Sequence, residues 1–244
     1  EECFRREERV PVHHVPLYIP EPQPSPRPRS SFAPLADAAG RLVIGVTFDH
    51  FSTVERKNPV ASIRAFREAF ADGEGPLLVV KTLNADLHPV EHRRVTDATG
   101  ERSDIVIWDA HLSRPDQLAF LAQLDILISL HRGEGLGLHL AEAMWLGVPC
   151  IATGYSGNLD FMDDDNARLV GYDLADAAAD NSIYPIGMRW ADPDLDDAAA
   201  ALRELCDDEL RKRIGAAGRQ AMAETPDASQ MAATMHGLLS RDDD

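Results

Sequence analysis

The chain has 244 residues and a formal net charge of −17, with 24 Lys plus Arg against 41 Asp plus Glu. Such a balance argues against a nucleic-acid binder or a general binder of anionic membranes, because both need cationic surface. No apolar run approaches the roughly 18 residues of a membrane span, and the three cysteines, Cys3, Cys150 and Cys206, suggest neither a disulfide framework nor a zinc site, so a reducing, cytoplasmic setting is the default.

Residues 1–40 read as a proline-rich arm or interdomain segment. Val10–Pro20 is extended, and Pro22, Pro24, Pro26 and Pro28 prevent regular structure. From Arg41 apolar runs alternate with amphipathic helices. Strands are expected at Leu42–Phe48, Leu77–Lys81, Ile105–Trp108, Ile126–Leu130, Val148–Thr153 and Arg168–Val170. Helices are expected at Pro59–Phe70, Pro115–Leu124 and Leu138–Leu146, the first with Asn58 as cap and Pro59 at its first position. Asp192-Pro193 is expected to start another helix, followed by one over Asp208–Met222 and one from Thr225-Pro226, with Asp242–Asp244 frayed. Short buried strands alternating with helices indicate an α/β fold, a Rossmann-like parallel sheet with helices on both faces. The domain spans 41–225, and 226–244 form a C-terminal helix and acidic tail.

The segment Ser129–Pro149 carries the most chemistry. Glycines let the chain turn sharply between Glu134 and the helix that holds Glu142. The first amides of that helix, near Leu138 and His139, have no intrahelical acceptor, and at the carboxyl edge of a parallel sheet such a terminus favours phosphate. Two carboxylates flanking a phosphate cradle suit a ligand shaped ribose–diphosphate–sugar. Arg56 and Lys57 lie between the first strand and its helix, at the same edge, where a lysine can stabilise a pyrophosphate leaving group; the plain alternative is a solvated basic pair. Ser156 and Asn158 can contact a sugar or cap a helix. Trp108 is either core or a wall for the nucleotide base, and Lys81 is open between phosphate and solvent.

Other patterns carry less. Gly135-x-Gly137 begins a dinucleotide fingerprint, but Leu140 stands at the third glycine position. His88, Glu91 and His92 match an inverted zincin spacing; Pro89 suits the first helical position, which leaves His88 outside the helix and the imidazoles on different faces. Asp163–Asp165 reads as a polar turn, His13-His14 as arm surface and His131 as a pocket wall.

Phe48–Phe66, Ser129–Met144, Pro149–Met162 and Trp190–Leu205, in that order and spacing, resemble family 4 retaining glycosyltransferases with the GT-B fold, in the branch found in bacterial surface-polysaccharide enzymes; the similarity spans about residues 41–222. The resemblance implies the donor-binding C-terminal half of such an enzyme, transferring a hexose from a nucleoside-diphosphate sugar to a glycan acceptor without metal or other cofactor. A non-catalytic nucleotide-sugar-binding module and a nucleotide-sugar epimerase are the alternatives. By resemblance Glu134 contacts the donor sugar, Glu142 binds ribose, and the backbone of Gly135, Leu136, Gly137, Leu138 and His139 receives the diphosphate and sugar. The implied partner is an N-terminal GT-B domain. With that wall absent, Glu134 and Lys57 are expected to be solvent-accessible.

Overall fold

The computed structural model of the chain describes residues 12–36, 38, 40–177, 184 and 187–240. Cys3, the beginning of the arm through Pro11 and the tail Asp242–Asp244 lie outside the described residues. Two compact units are present: Glu21–Ala223, and a smaller unit of the residues through Pro20 together with those from Glu224 onward.

The larger unit is built on a six-stranded sheet, β1 (Val43–Thr47), β2 (Leu77–Thr82), β3 (Ile105–Asp109), β4 (Ile126–Ser129), β5 (Cys150–Thr153) and β6 (Arg168–Val170). Its order is β3-β2-β1-β4-β5-β6, with every pairing parallel. β1, β2, β4 and β5 are buried on both faces, apart from Thr47, because helices cover both sides. Between the strands run α1 (Val54–Lys57), α2 (Pro59–Ala69), α3 (Pro89–Thr99), α4 (Arg114–Leu121) and α5 (Leu138–Trp145), followed after the sheet by α6 (Leu195–Glu204) and α7 (Asp208–Ala223). Ile44, Val46, Leu78, Val80, Ile126 and Ile128 pack with Ile63, Phe66, Val95 and Leu202 of α2, α3 and α6 in one core cluster.

Several expectations need correction. Residues 21–40 are not a free arm, for they belong to the larger unit. Prolines deny them regular strands, but Phe32 and Leu35 are buried, Arg29 pairs with Asp125 at 3.0 Å, and the Ser25 hydroxyl donates to Asp116 at 2.6 Å. Asp192-Pro193 ends a strand rather than starting a helix: β7 (Tyr172–Asp176) and β8 (Arg189–Pro193) form an antiparallel pair, and the cap of α6 is Asp194, whose carboxylate accepts from the Asp196 and Asp197 amides. Asn58 sits at the start of α2, but in the left-handed region at φ 50°, with no side-chain capping bond. In the smaller unit residues 12–20 contain no helix or strand, and α8 (Ala228–Leu239) starts at a capping box of Asp227 and Gln230 rather than at Thr225-Pro226.

Candidate functional site

The short helix α1 is bracketed by Thr53 and Asn58, both with positive φ, at 58° and 50°. Two such turns cost backbone strain in non-glycine residues, and they fold Arg56 and Lys57 back over the carboxyl edge of the sheet. There the Lys57 ammonium donates to the Glu134 carboxylate. Arg56 lies 3.8 Å from the same carboxylate and donates to the Gly133 carbonyl at 2.9 Å. The Lys57 and Glu134 side chains are only 13% and 11% exposed. The expected solvent-accessible pair is therefore corrected: the two side chains shield each other. Burial pushes the Glu134 carboxyl up, but Lys57, followed by His139 and Arg56, outweighs it and holds the group below the usual carboxylate range.

Glu134 is placed by its neighbours on the β5 loop. Ser156 Oγ donates to the Glu134 carbonyl at 2.7 Å and accepts from its amide at 3.1 Å, and the Gly157 amide donates to the same carbonyl at 3.0 Å. Gly157 must be glycine, since a Cβ there would stand 1.9 Å from the Gly135 carbonyl oxygen. Ser156 thus holds the carboxylate-bearing loop. Asn158 is fully buried, its amide donating to the Thr153 carbonyl at 3.1 Å and its Oδ1 3.1 Å from His131 Nε2. Its side chain makes no helix cap and is engaged by these buried protein partners. His131, expected as a pocket wall, is a buried hydrogen-bonding centre.

Gly137, with φ 84°, stands at the cap position before α5, and no side chain caps that terminus. The leading amides at Leu138 and His139 therefore have no partner from their own helix. Leu136 lies in the loop before them, and Gly135 is exposed. Glu142, one turn along, is buried and forms a two-pronged pair with Arg114, one contact at 3.0 Å. Sequence reasoning missed Arg114, because a partner drawn from another helix, distant in sequence, leaves no local spacing. Trp108 is packed rather than free: its ring meets Phe120 and Phe32 at centroid distances of 5.3 and 6.3 Å. Lys81 is 2% exposed, which removes the solvent reading. Burial pushes its ammonium down to about 8, opposed by Asp109 and Asp49.

His88 and His92 both approach the buried His50 ring, at centroid distances of 6.0 and 5.4 Å, so they converge where separate faces were expected. No group among the described residues has the composition and geometry to hold a metal ion. Asp163 forms the expected polar turn, accepting from the Asp165 and Asn166 amides. A separate groove of about 570 Å³, with Arg64, Arg67, Arg94 and Arg132 in its walls, does not include Lys57 or Glu134.

Residues 84–184 match the family model described as glycosyl transferases group 1. No curated protein is significantly similar to the chain. Among solved structures, the C-terminal domain of a glycosyl transferase group 1 family protein (LpcC) from Francisella tularensis superposes with a TM-score of 0.57 at 19% identity, over 84% of this chain and 95% of that domain. WaaG, a glycosyltransferase involved in lipopolysaccharide biosynthesis, gives 0.59 at 16% identity over 86% of this chain and 50% of its own. Anabaena Alr3699/HepE, solved in complex with UDP and glucose, gives 0.57 at 14% identity over 84% of this chain and 50% of its own. The trehalose-6-phosphate phosphatase N-terminal domain of Candida albicans is likewise covered over only 42% of its chain. The shared architecture is the Rossmann-like domain of GT-B glycosyltransferases. No helix among the described residues is long and apolar enough to cross a membrane.

Proposed function

We propose that this chain is the donor-binding domain of a retaining glycosyltransferase, which transfers a hexose from a nucleoside-diphosphate sugar to a glycan acceptor. The observation that carries the reading is the Lys57–Glu134 pair set beside the uncapped start of α5, at the carboxyl edge of a parallel sheet. The match to glycosyl transferases group 1 and the fold shared with a structure that holds UDP and glucose support it.

In this reading the diphosphate lies on the Leu138 and His139 amides and shares Lys57 with Glu134. Lys57 stabilises the charge that grows on the leaving phosphate. That phosphate accepts the proton of the attacking acceptor hydroxyl, so protein groups supply the charge otherwise brought by a metal. Arg56 supports the Glu134 loop, and Glu134 orients the sugar. Glu142 takes the ribose: an ionised carboxylate has about four lone-pair sites, so the two occupied by Arg114 leave room for a vicinal diol. The second wall of the cleft and the acceptor site come from the N-terminal half of a GT-B enzyme.

Calorimetry with GDP, UDP and ADP in EDTA tests the site. At least one should bind at sub-millimolar concentration. Glu142→Ala should weaken the nucleoside diphosphate itself about tenfold or more, given roughly 1.5–3 kcal/mol for a charge-assisted hydrogen bond, while Glu134→Ala should mainly weaken the sugar-bearing form. A folded chain that binds none of the three overturns the reading.

A further inference from the structure

The chain of hydrogen bonds running inward from α5 has a definite polarity. The Asn158 amide donates to the Thr153 carbonyl, so Asn158 Oδ1 faces His131 Nε2 as an acceptor. The Tyr155 carbonyl, 3.1 Å from the same nitrogen, is also an acceptor. His131 Nε2 must therefore carry a hydrogen. Burial lowers the His131 imidazole despite the Tyr155 carbonyl and Glu134, so the ring is neutral and its Nδ1 is bare. Among the described residues the hydrogen available to Nδ1 is that of Ser129 Oγ, 3.2 Å away. With its proton so directed, Ser129 Oγ can only accept from His139 Nε2 at 3.4 Å. His139 is consequently the Nε2–H tautomer. Burial, reinforced by Lys57, pushes its imidazole down to about 3, and Glu134, His131 and Arg56 are the other charged or titratable groups that act on it.

We propose that His139 presents its bare Nδ1 to the donor pocket and accepts a hydrogen bond from a hydroxyl of the donor sugar, with Ser129 and His131 as positioning residues that fix this tautomer. The inference rests on the donor-site reading and adds a specificity-determining contact to it. His139 is half-buried, Lys57 and Glu134 act on its ring, and its Nδ1 has no partner among the described residues. A phosphate oxygen at neutral pH only accepts, so it gains nothing from a bare nitrogen, whereas a hydroxyl can donate to it. One residue then serves two parts of the ligand, its amide the phosphate and its ring the sugar.

The test combines tautomer and affinity. In long-range proton–nitrogen spectra of the histidine-labelled full chain, His131 and His139 should both show the neutral Nε2–H pattern at pH 7. Calorimetry with UDP and UDP-glucose, GDP and GDP-mannose, and ADP and ADP-glucose compares His139→Phe with the unsubstituted chain on the ratio of sugar-bearing to bare nucleotide affinity. The substitution should reduce the advantage of the sugar-bearing ligand about 3- to 10-fold, the range of a single net hydrogen bond. Ser129→Ala should move that ratio the same way, and Ser129→Thr should restore it. A charged or Nδ1–H ring at His139 overturns the proposal on the unsubstituted protein, whether or not any variant folds. So does an unchanged ratio in a His139→Phe chain that still binds the diphosphate, or the absence of any sugar advantage in the unsubstituted chain. Failure of that chain to bind any nucleoside diphosphate overturns the donor reading and, with it, this proposal.

Discussion

Lys57 and Lys81 show opposite uses of charge at the same sheet edge. Lys57 has a carboxylate partner, Glu134, whose folded-state pKa is lowered. A lowered carboxyl contributes stability that is present above its unfolded value, about 4.3, and lost as pH falls through the folded value. Glu134→Gln should therefore cost about 1.5–3 kcal/mol at pH 7 and less at pH 3. Urea denaturation at the two pH values checks this, and an equal cost at both would contradict a pair that depends on ionisation. Lys81 has no ion pair among the described residues, yet it is 2% exposed. Its ammonium is pushed down to about 8 from 10.5, so the native state sheds its proton before the unfolded chain does. Stability from this residue should rise with pH between those values. Lys81→Met should abolish that rise and stabilise the fold at pH 7 by roughly 1–4 kcal/mol, the range seen when buried ionic groups give way to apolar ones. A destabilised Lys81→Met chain would show that the ammonium has a compensating partner. If nucleoside-diphosphate affinity also falls, Lys81 is a phosphate contact that the fold retains at a cost to its stability.

The site is held by elements that meet through backbone rather than through side-chain bulk. The β5 loop seats Gly157 against the Gly135 carbonyl, with Ser156 binding the amide and carbonyl of Glu134. Gly157→Ala places a methyl 1.9 Å from that carbonyl oxygen and must push the Glu134 loop away. It should destabilise by about 1–3 kcal/mol, as overpacking does, and weaken the sugar-bearing ligand. Gly133→Ala is the control: a Cβ there meets nothing within 4 Å, and its effect should stay within about 0.5 kcal/mol. Thermal melts and calorimetry on both variants decide the point, and equal effects would deny the clamp. The same contrast explains what was legible in the sequence. Buried parallel strands are uniform apolar runs, and β1, β2, β4 and β5 stand where those runs predicted them, within a residue or two. The glutamates and glycines drew notice because they share one loop and the helix after it, and Lys57 because it stands just before α2 at the same sheet edge. β7 and β8 were not: Tyr172–Asp176 interleaves acids with apolar residues and is largely exposed, and Asp192 imitates the cap that Asp194 provides. Arg114, and Asn158 as a buried partner of His131, were also hidden, because those contacts join segments distant in sequence. Prolines in residues 21–40 signalled the lack of strands but said nothing of Phe32 packing on Phe120.

At the scale of the whole molecule, charge and length frame the activity. Under the proposed function, the net charge of −17 opposes an anionic donor, and the attraction comes from Lys57, Arg56 and the start of α5 at short range. Those groups belong to one sheet edge, and the chain spans 50% of the length of WaaG and of HepE. Under the proposed function, the donor groups lie in this half and the acceptor wall lies in a preceding Rossmann-like half. Donor affinity and transfer should then separate. Binding depends on contacts already present in Glu21–Ala223, whereas transfer needs donor and acceptor held in reacting geometry, an effect that reaches roughly 7–11 kcal/mol of a barrier. The isolated chain should bind a nucleoside-diphosphate sugar with nearly the affinity of a longer protein that carries an N-terminal GT-B half, yet transfer to a glycan at least about a thousandfold more slowly. Calorimetry and a radiolabelled transfer assay on both proteins measure the two quantities. Equal transfer rates would place the acceptor wall within these 244 residues. A large difference in donor affinity would mean that the Lys57–Glu134 edge is only part of the donor site.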